Sequence, residues 1–248
     1  MNEMSAFPVA PETFRGESRE VDPGACFDWL RQGWAMFMVN PGVWIGCSVL
    51  LLIIQMAFNV VPIFGQFAAY LLVPLFGAGM VQVCRHIAQE RPAEIADLFA
   101  GFRHNAGPLI MVGLFFAGGV FGLAFIAVIL VNGGVFGSGI NAKVFSASIN
   151  FGSVMLAGLL VAVLSIPVIM ATWFAPALVF LHDMKPVAAI RASFDAGFKN
   201  WLVMIVFGTF LIVALFFAML PLGLGLILLL PIFSGAVYAS YRDIFLGT

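Results

Sequence analysis

The stretch WLVMIVFGTFLIVALFFAMLPLGLGLILLLPIFSGAVYASY, residues 201–241, holds no charged side chain between Lys199 and Arg242. A helix crosses the hydrocarbon of a bilayer with about 20 apolar residues, so this run is long enough to cross twice. Pro221 divides it, because proline lacks a backbone N–H and its ring clashes with the preceding turn. Two spans, 201–220 and 222–241, follow as a hairpin. The same arrangement recurs upstream at 43–61 and 63–84, with Pro62 at the corner. It recurs again at 108–131 and 151–181 with a longer connection. The segment 151–181 exceeds what a straight span needs and is expected to be tilted, kinked or partly outside the bilayer.

Composition agrees with lipid as the solvent. Apolar residues make up 62% of the 248 and charged residues 9%, where a soluble domain carries about 25% charge. A net charge of −1 supplies no basic field for nucleic acid. Cys26, Cys47 and Cys84 show no C-x-x-C spacing and read as packing residues. Residues 1–24 lack the basic start and apolar centre of a signal peptide. They read as a disordered cytoplasmic tail ahead of a single integral membrane domain, 25–248.

Charge orients the spans. Arg15, Arg19 and Arg31 precede the first; Arg85, Arg91 and Arg103 join the second to the third. Lys185, Arg191 and Lys199 join the fourth to the fifth, and Arg242 follows the sixth. Only Lys143, in the loop 132–150, falls on the other face. Basic residues stay on the cytoplasmic side, so both termini are expected there, in a multi-pass protein of the bacterial inner membrane.

The chain repeats itself. DWLRQGWAMFMVNPGVW (28–44), AEIADLFAGFRHNAGPL (93–109) and AAIRASFDAGFKNWLVM (188–204) align Phe37, Phe102 and Phe198. They also align Asn40, Asn105 and Asn200, with a one-residue slip in the third. The second span of each unit carries a proline: LLVPLFGAGM, LSIPVIMATW and LLPIFSGAVY give Pro74, Pro167 and Pro231. Three units of about 25–88, 89–182 and 183–245 result, each an amphipathic helix followed by two spans. The expected fold is an all-α bundle of six transmembrane helices in three repeats.

The leading helices show apolar stripes suited to the lipid interface. Phe27, Leu30, Trp34 and Phe37 form the first, opposite Asp28, Arg31 and Gln32. Ile95, Leu98, Phe99 and Phe102 form the second behind Pro92; Ile190, Phe194 and Phe198 form the third behind Pro186. Arg191 and Asp195 have the i,i+4 spacing of an ion pair. Trp34, Phe37, Phe99, Phe102, Phe194 and Phe198 are the candidates for docking a partner or lipid. Depth-setting anchors explain the same pattern.

Chemistry is sparse. All twelve carboxylates lie outside the spans, which leaves a proton or ion relay nothing to work with. Gln55, Asn59, Gln66, Gln82, Ser165, Thr172, Thr209 and Ser234 read as hydrogen-bonding glue between helices. Gly118 and Gly122, with Gly113 upstream, read as a close helix contact. Glycines after Pro74 and Pro231 allow those prolines, with Pro167, to act as hinges. His86, His104 and His182 have no metal-ligand spacing and read as polar surface residues. No catalytic triad, nucleophile elbow or phosphate loop is present, so no catalytic residue, cofactor or metal site is assigned.

The GW-AMF-NP start, the DLFAGF segment and the closing YRDIF resemble a proteobacterial family of uncharacterised six-span inner-membrane proteins. More loosely, residues 25–245 resemble YciC-type inner-membrane proteins and the membrane domain fused to some glycerophosphodiester phosphodiesterases. The resemblance implies architecture and no catalytic residues. Function is expected to be non-enzymatic and by contact, as scaffold, regulator or assembly partner of another envelope component. Membrane lipids and a membrane or cytoplasmic protein are the expected partners, in an undetermined oligomeric state. The alternative is a channel or carrier for a small neutral or lipidic molecule.

Overall fold

A computed structural model describes residues 14, 17–61, 63–132 and 151–247. The Pro62 corner, the loop with Lys143, and most of the 1–24 tail lie outside the described residues. Every regular element among the described residues is helical. In the first unit, α1 (Ala25–Val39) leads into α2 (Pro41–Asn59) and α3 (Phe64–Ala88). A 3-10 turn (Ile95–Phe99) and the short α4 (Ala100–Arg103) open the second, followed by α5 (Ala106–Asn132), α6 (Phe151–Trp173) and α7 (Ala175–His182). The third comprises α8 (Pro186–Lys199), α9 (Trp201–Met219) and α10 (Leu226–Tyr241), closed by a π-helical turn, Arg242–Leu246.

Five segments are long and apolar enough to cross a membrane: α2, α3, α5, α6 with α7, and α9. The sixth expected span is shorter than 222–241. Leu222 and Gly223 take positive φ (55° and 81°) in the turn after α9, so α10 begins only at Leu226. At 1.5 Å per residue it measures about 24 Å, below the hydrocarbon thickness of about 30 Å.

Local chemistry sets the helix starts. Asn40 caps α2, its side chain accepting from the Val43 N–H, and Pro41 fills the first turn, where no N–H is needed. Pro186 opens α8 the same way. Glu94 and Asp97 form a reciprocal capping box on the 3-10 turn.

Glycines set how the helices meet. A Cβ at Gly33 of α1 would lie 2.2 Å from the Ile232 carbonyl oxygen of α10, and one at Gly235 would lie 2.8 Å from the Gly33 Cα. Trp29, near the start of α1, donates its indole N–H to Asp243 beyond the end of α10. The two helices therefore run antiparallel, backbone against backbone. This corrects the expected first stripe. Cys26, Trp29, Gly33, Met36 and Phe37 face the core, while Phe27 and Trp34 face outward, because Gly33 lets this face of α1 lie directly on the α10 backbone. The second leading helix also packs inward, with Leu98 fully buried and its backbone against Gly79 of α3, and with Gly101 of α4 against the Leu75 backbone of α3.

Other expectations change as well. Gly118 and Gly122 meet nothing within 4 Å; the close contacts are Gly113 against the Leu71 carbonyl and Gly119 against Val168. Small spacing on one helix does not say which side a neighbour takes. Ser165, Thr172, Thr209 and Ser234 donate to carbonyls of their own helices rather than across them. Gln66 does cross, bonding Asn59 between α3 and α2. Among the described residues, Arg191 and Asp195 form no ion pair, despite their spacing; the pairs are Arg19–Asp243, Arg31–Asp28, His86–Asp97 and His104–Asp183.

One end of the bundle gathers the charged groups. There the segment 17–24, expected to belong to a disordered tail, is tied down as a strap. The Arg19 N–H donates to the Ile244 carbonyl (2.8 Å), and the Arg19 guanidinium pairs with Asp243. Asn200 accepts from the Val21 N–H (2.9 Å) and donates to the Arg19 carbonyl (2.9 Å). Lys199 donates to the Ser18 carbonyl (2.8 Å).

Candidate functional site

The proline-bearing second helices of the units come together at the centre. Half of the apolar window of α3 is buried inside the protein, against 11–17% for the other four spans, so α3 is the axis. It touches α7 on one side and α10 on another. Between them lies a cavity of about 450 Å³. Pro74, Gly77 and Met80 line it from α3; Trp173 and Pro176 from the α6–α7 joint; Phe233 from α10.

The joint is the least regular part of the spans. Pro176 has no N–H to return to the Thr172 carbonyl, and the helix breaks at Phe174. In an unbroken helix the Phe174 N–H would bond the Met170 carbonyl. Here Ser193 of α8 stands between them, accepting from the Phe174 N–H (2.9 Å) and donating to the Met170 carbonyl (2.7 Å). Ser193 is fully buried. The hydroxyl thus satisfies two backbone groups that the kink would otherwise strand.

Trp173 next to the break packs edge-on against Phe207 and Phe233, with ring centroids 5.9 and 5.7 Å apart. Its Nε1 is shut off from solvent and has no acceptor among the described residues. The hydroxyls of Thr172 and Ser234 also line the cavity, each already donating to its own helix at 2.8 Å. The rest of the lining is apolar. This is a greasy chamber.

The hinge candidates take unequal places. Pro74 lines the cavity, and Pro231 is buried inside α10. Pro167 lies within α6, which continues through it; the break comes at Phe174 instead, where Pro176 and the Ser193 insertion act together. Of the docking candidates, Phe37 is in the core, and Phe99 and Phe102 pack on Phe76. Trp34 is half exposed, and Phe194 and Phe198 stack on each other on the outer side of α8. Trp173, Pro176 and Ser193 were not singled out from sequence. Their signal was the second proline in TWFAP and a lone serine on the small-residue face of the third leading helix.

The histidines are engaged rather than free surface groups. His86 Nδ1 lies 2.9 Å from Asp97, with Gln82 at 2.7 Å from its Nε2. His182 stacks on Phe14 (4.0 Å) and bonds the Tyr241 hydroxyl. His104 lies 3.1 Å from Asp183, which also accepts from the Asn105 amide at 2.6 Å. That amide bond, helped by His104, holds the Asp183 carboxyl below its ordinary range. All three cysteines are buried and unpaired, and burial pushes the Cys26 thiol up. No cluster of three potential metal ligands occurs among the described residues.

No family model matches the chain, and no solved structure does either. The chain is similar to a Burkholderia thailandensis protein described as a probable inner membrane protein, at 29% identity over 231 residues. That alignment covers 89% of this chain and 83% of the other. That likeness spans most of the chain, whereas the narrower resemblance to YciC-type and phosphodiesterase-linked domains rests on motifs alone. With helices fit to span a bilayer and a full-length likeness of this kind, the chain is an integral membrane protein.

Proposed function

We propose that this is an inner-membrane protein that binds and carries a small, mainly apolar molecule. The supporting observation is the cavity between α3, the α6–α7 joint and α10, lined almost entirely by apolar side chains. Its volume falls within the roughly 300–1,000 Å³ of small-molecule sites. A role by contact has fewer free helix faces to work with, since α1 and the 95–103 helix turn much of their apolar surface inward.

A diazirine-bearing long-chain alcohol, photolysed with the protein in liposomes, tests this. Label is expected on peptides containing Trp173 and Phe233. Gly77→Leu, whose side chain enters the chamber beside Pro176, abolishes it. Labelling that ignores Gly77→Leu sinks the reading.

The same proposal places six spans in the bilayer, α10 serving as the last with its π-helical turn, and both ends in the cytoplasm. Basic residues on the charged end support it. Reporter fusions at Arg91 and Lys143 should report opposite compartments; the same compartment for both overturns the layout.

A further inference from the structure

Two depressions meet on α8, away from the central cavity. An apolar groove of about 370 Å³ runs between α5, α6 and α8, with Phe115, Val168, Ile190 and Phe194 in its walls. A polar basin of about 520 Å³ lies between α8 and the strap, with Glu17 and Lys199 at its margin. Arg191 and Asp195 line both. They form a crest: residues 190 and 194 face the groove, while 188, 192 and 199 face the basin.

Arg191 and Asp195 are one helical turn apart, yet neither pairs with the other or with another charge among the described residues. Lys199 is held by a single bond to the Ser18 carbonyl, which leaves ammonium protons to donate. The basin therefore offers two cations, Arg191 and Lys199, and two carboxylates, Asp195 and Glu17, beside an apolar slot. That is the complement of a molecule with a phosphate, an amine and a hydrocarbon tail.

We infer that the α8 crest is a binding site for a zwitterionic aminophospholipid, one acyl chain lying in the α5–α6–α8 groove. The phosphate sits on Arg191 and Lys199, where charge-assisted bonds to a phosphate oxygen are the strong kind. The ammonium sits between Asp195 and Glu17. An anionic headgroup satisfies the cations but leaves two carboxylates facing it, and a quaternary amine has no N–H for them. The two acids favour a primary amine.

Native mass spectrometry of the full chain in dodecylmaltoside tests the site, with equimolar phosphatidylethanolamine, phosphatidylglycerol and phosphatidylcholine as probes. Phosphatidylethanolamine adducts are expected to exceed each of the others about fivefold, by the usual relation of free energy to affinity. Arg191→Gln reduces adducts of every phospholipid. Asp195→Asn leaves total lipid binding in place but brings the ethanolamine and glycerol lipids to parity. Both residues are exposed, and an unchanged thermal midpoint confirms folding. Glycerophosphoethanolamine, lacking acyl chains, does not compete. Gly77→Leu changes nothing, which separates this site from the central cavity. Equal retention of the three lipids by the wild type, a preference for phosphatidylglycerol, full competition by the chainless headgroup, or an undiminished preference in Asp195→Asn each overturns the assignment.

Discussion

Ser193→Ala is expected to destabilise the detergent-solubilised protein by roughly 2–4 kcal/mol, since it strands two buried backbone groups worth about 1–3 kcal/mol each. The serine hydroxyl joins the Phe174 N–H to the Met170 carbonyl across the break between α6 and α7. Alanine has nearly the same volume, so packing among Ala189, Ala196 and Gly197 is kept and the loss is polar. The chain cannot repair the break by straightening, because the Pro176 ring would then press on the Thr172 carbonyl. The second consequence is local. Trp173 sits at the break, so the variant also lowers photolabelling in the central chamber. Denaturant titration followed by tryptophan emission reads the first effect. A midpoint equal to wild type, with labelling intact, would show that the insertion is incidental.

The second large effect is steric. Gly33→Ala places a methyl 2.2 Å from the Ile232 carbonyl oxygen and 2.8 Å from the Ala236 nitrogen. Overpacking a core typically costs about 1–3 kcal/mol when side chains can shift. Here both obstacles are backbone, so α1 and α10 must separate along the contact, and a loss of at least about 3 kcal/mol follows from the upper end of that scale. Separation also strains the Trp29–Asp243 bond and with it the strap at Arg19, so trypsin should cut at Arg19 faster. Gly118→Ala is the control: nothing lies within 4 Å of its Cβ. Relief of the helix-glycine penalty, about 0.5–1 kcal/mol, leaves that variant neutral or slightly stabilised. Equal behaviour of the two variants would remove the close α1–α10 packing.

Sequence legibility divides along physical lines. Apolar runs are dictated by the solvent, and each of the first five expected spans has a counterpart in α2, α3, α5, α6–α7 and α9. The start marked by Pro186 is local chemistry and was readable, whereas Pro92 lies ahead of the turn that begins at Ile95. The outward face of Phe194 and Phe198 was readable too, since α8 keeps its small residues for packing. What could not be read is which neighbour a helix meets. Gly33 looked like filler inside an amphipathic stripe, and only α10, distant in sequence, makes it a contact. Gly118 and Gly122 had the better local pattern and no neighbour. Hydroxyls assigned to bridging helices turned back on their own carbonyls, because that acceptor is always within reach. The chamber itself was not legible, since of the three prolines read as hinges only Pro74 lines it. Its stitched break depends on Trp173, Pro176 and Ser193 meeting in space.

The pairing of α1 with α10 also bears on how the molecule is made. Among the described helices, α1 is made before all the others and has as its backbone-to-backbone partner α10, which is made after them. Until then Gly33 faces lipid, Trp29 lacks the Asp243 acceptor, and Asn200 waits beside a strap with nothing at Ile244 to hold it. The α1–α10 contact thus closes late, as a clasp across the bundle, and a chain cut short before Leu226 would leave α1 permanently unsheltered.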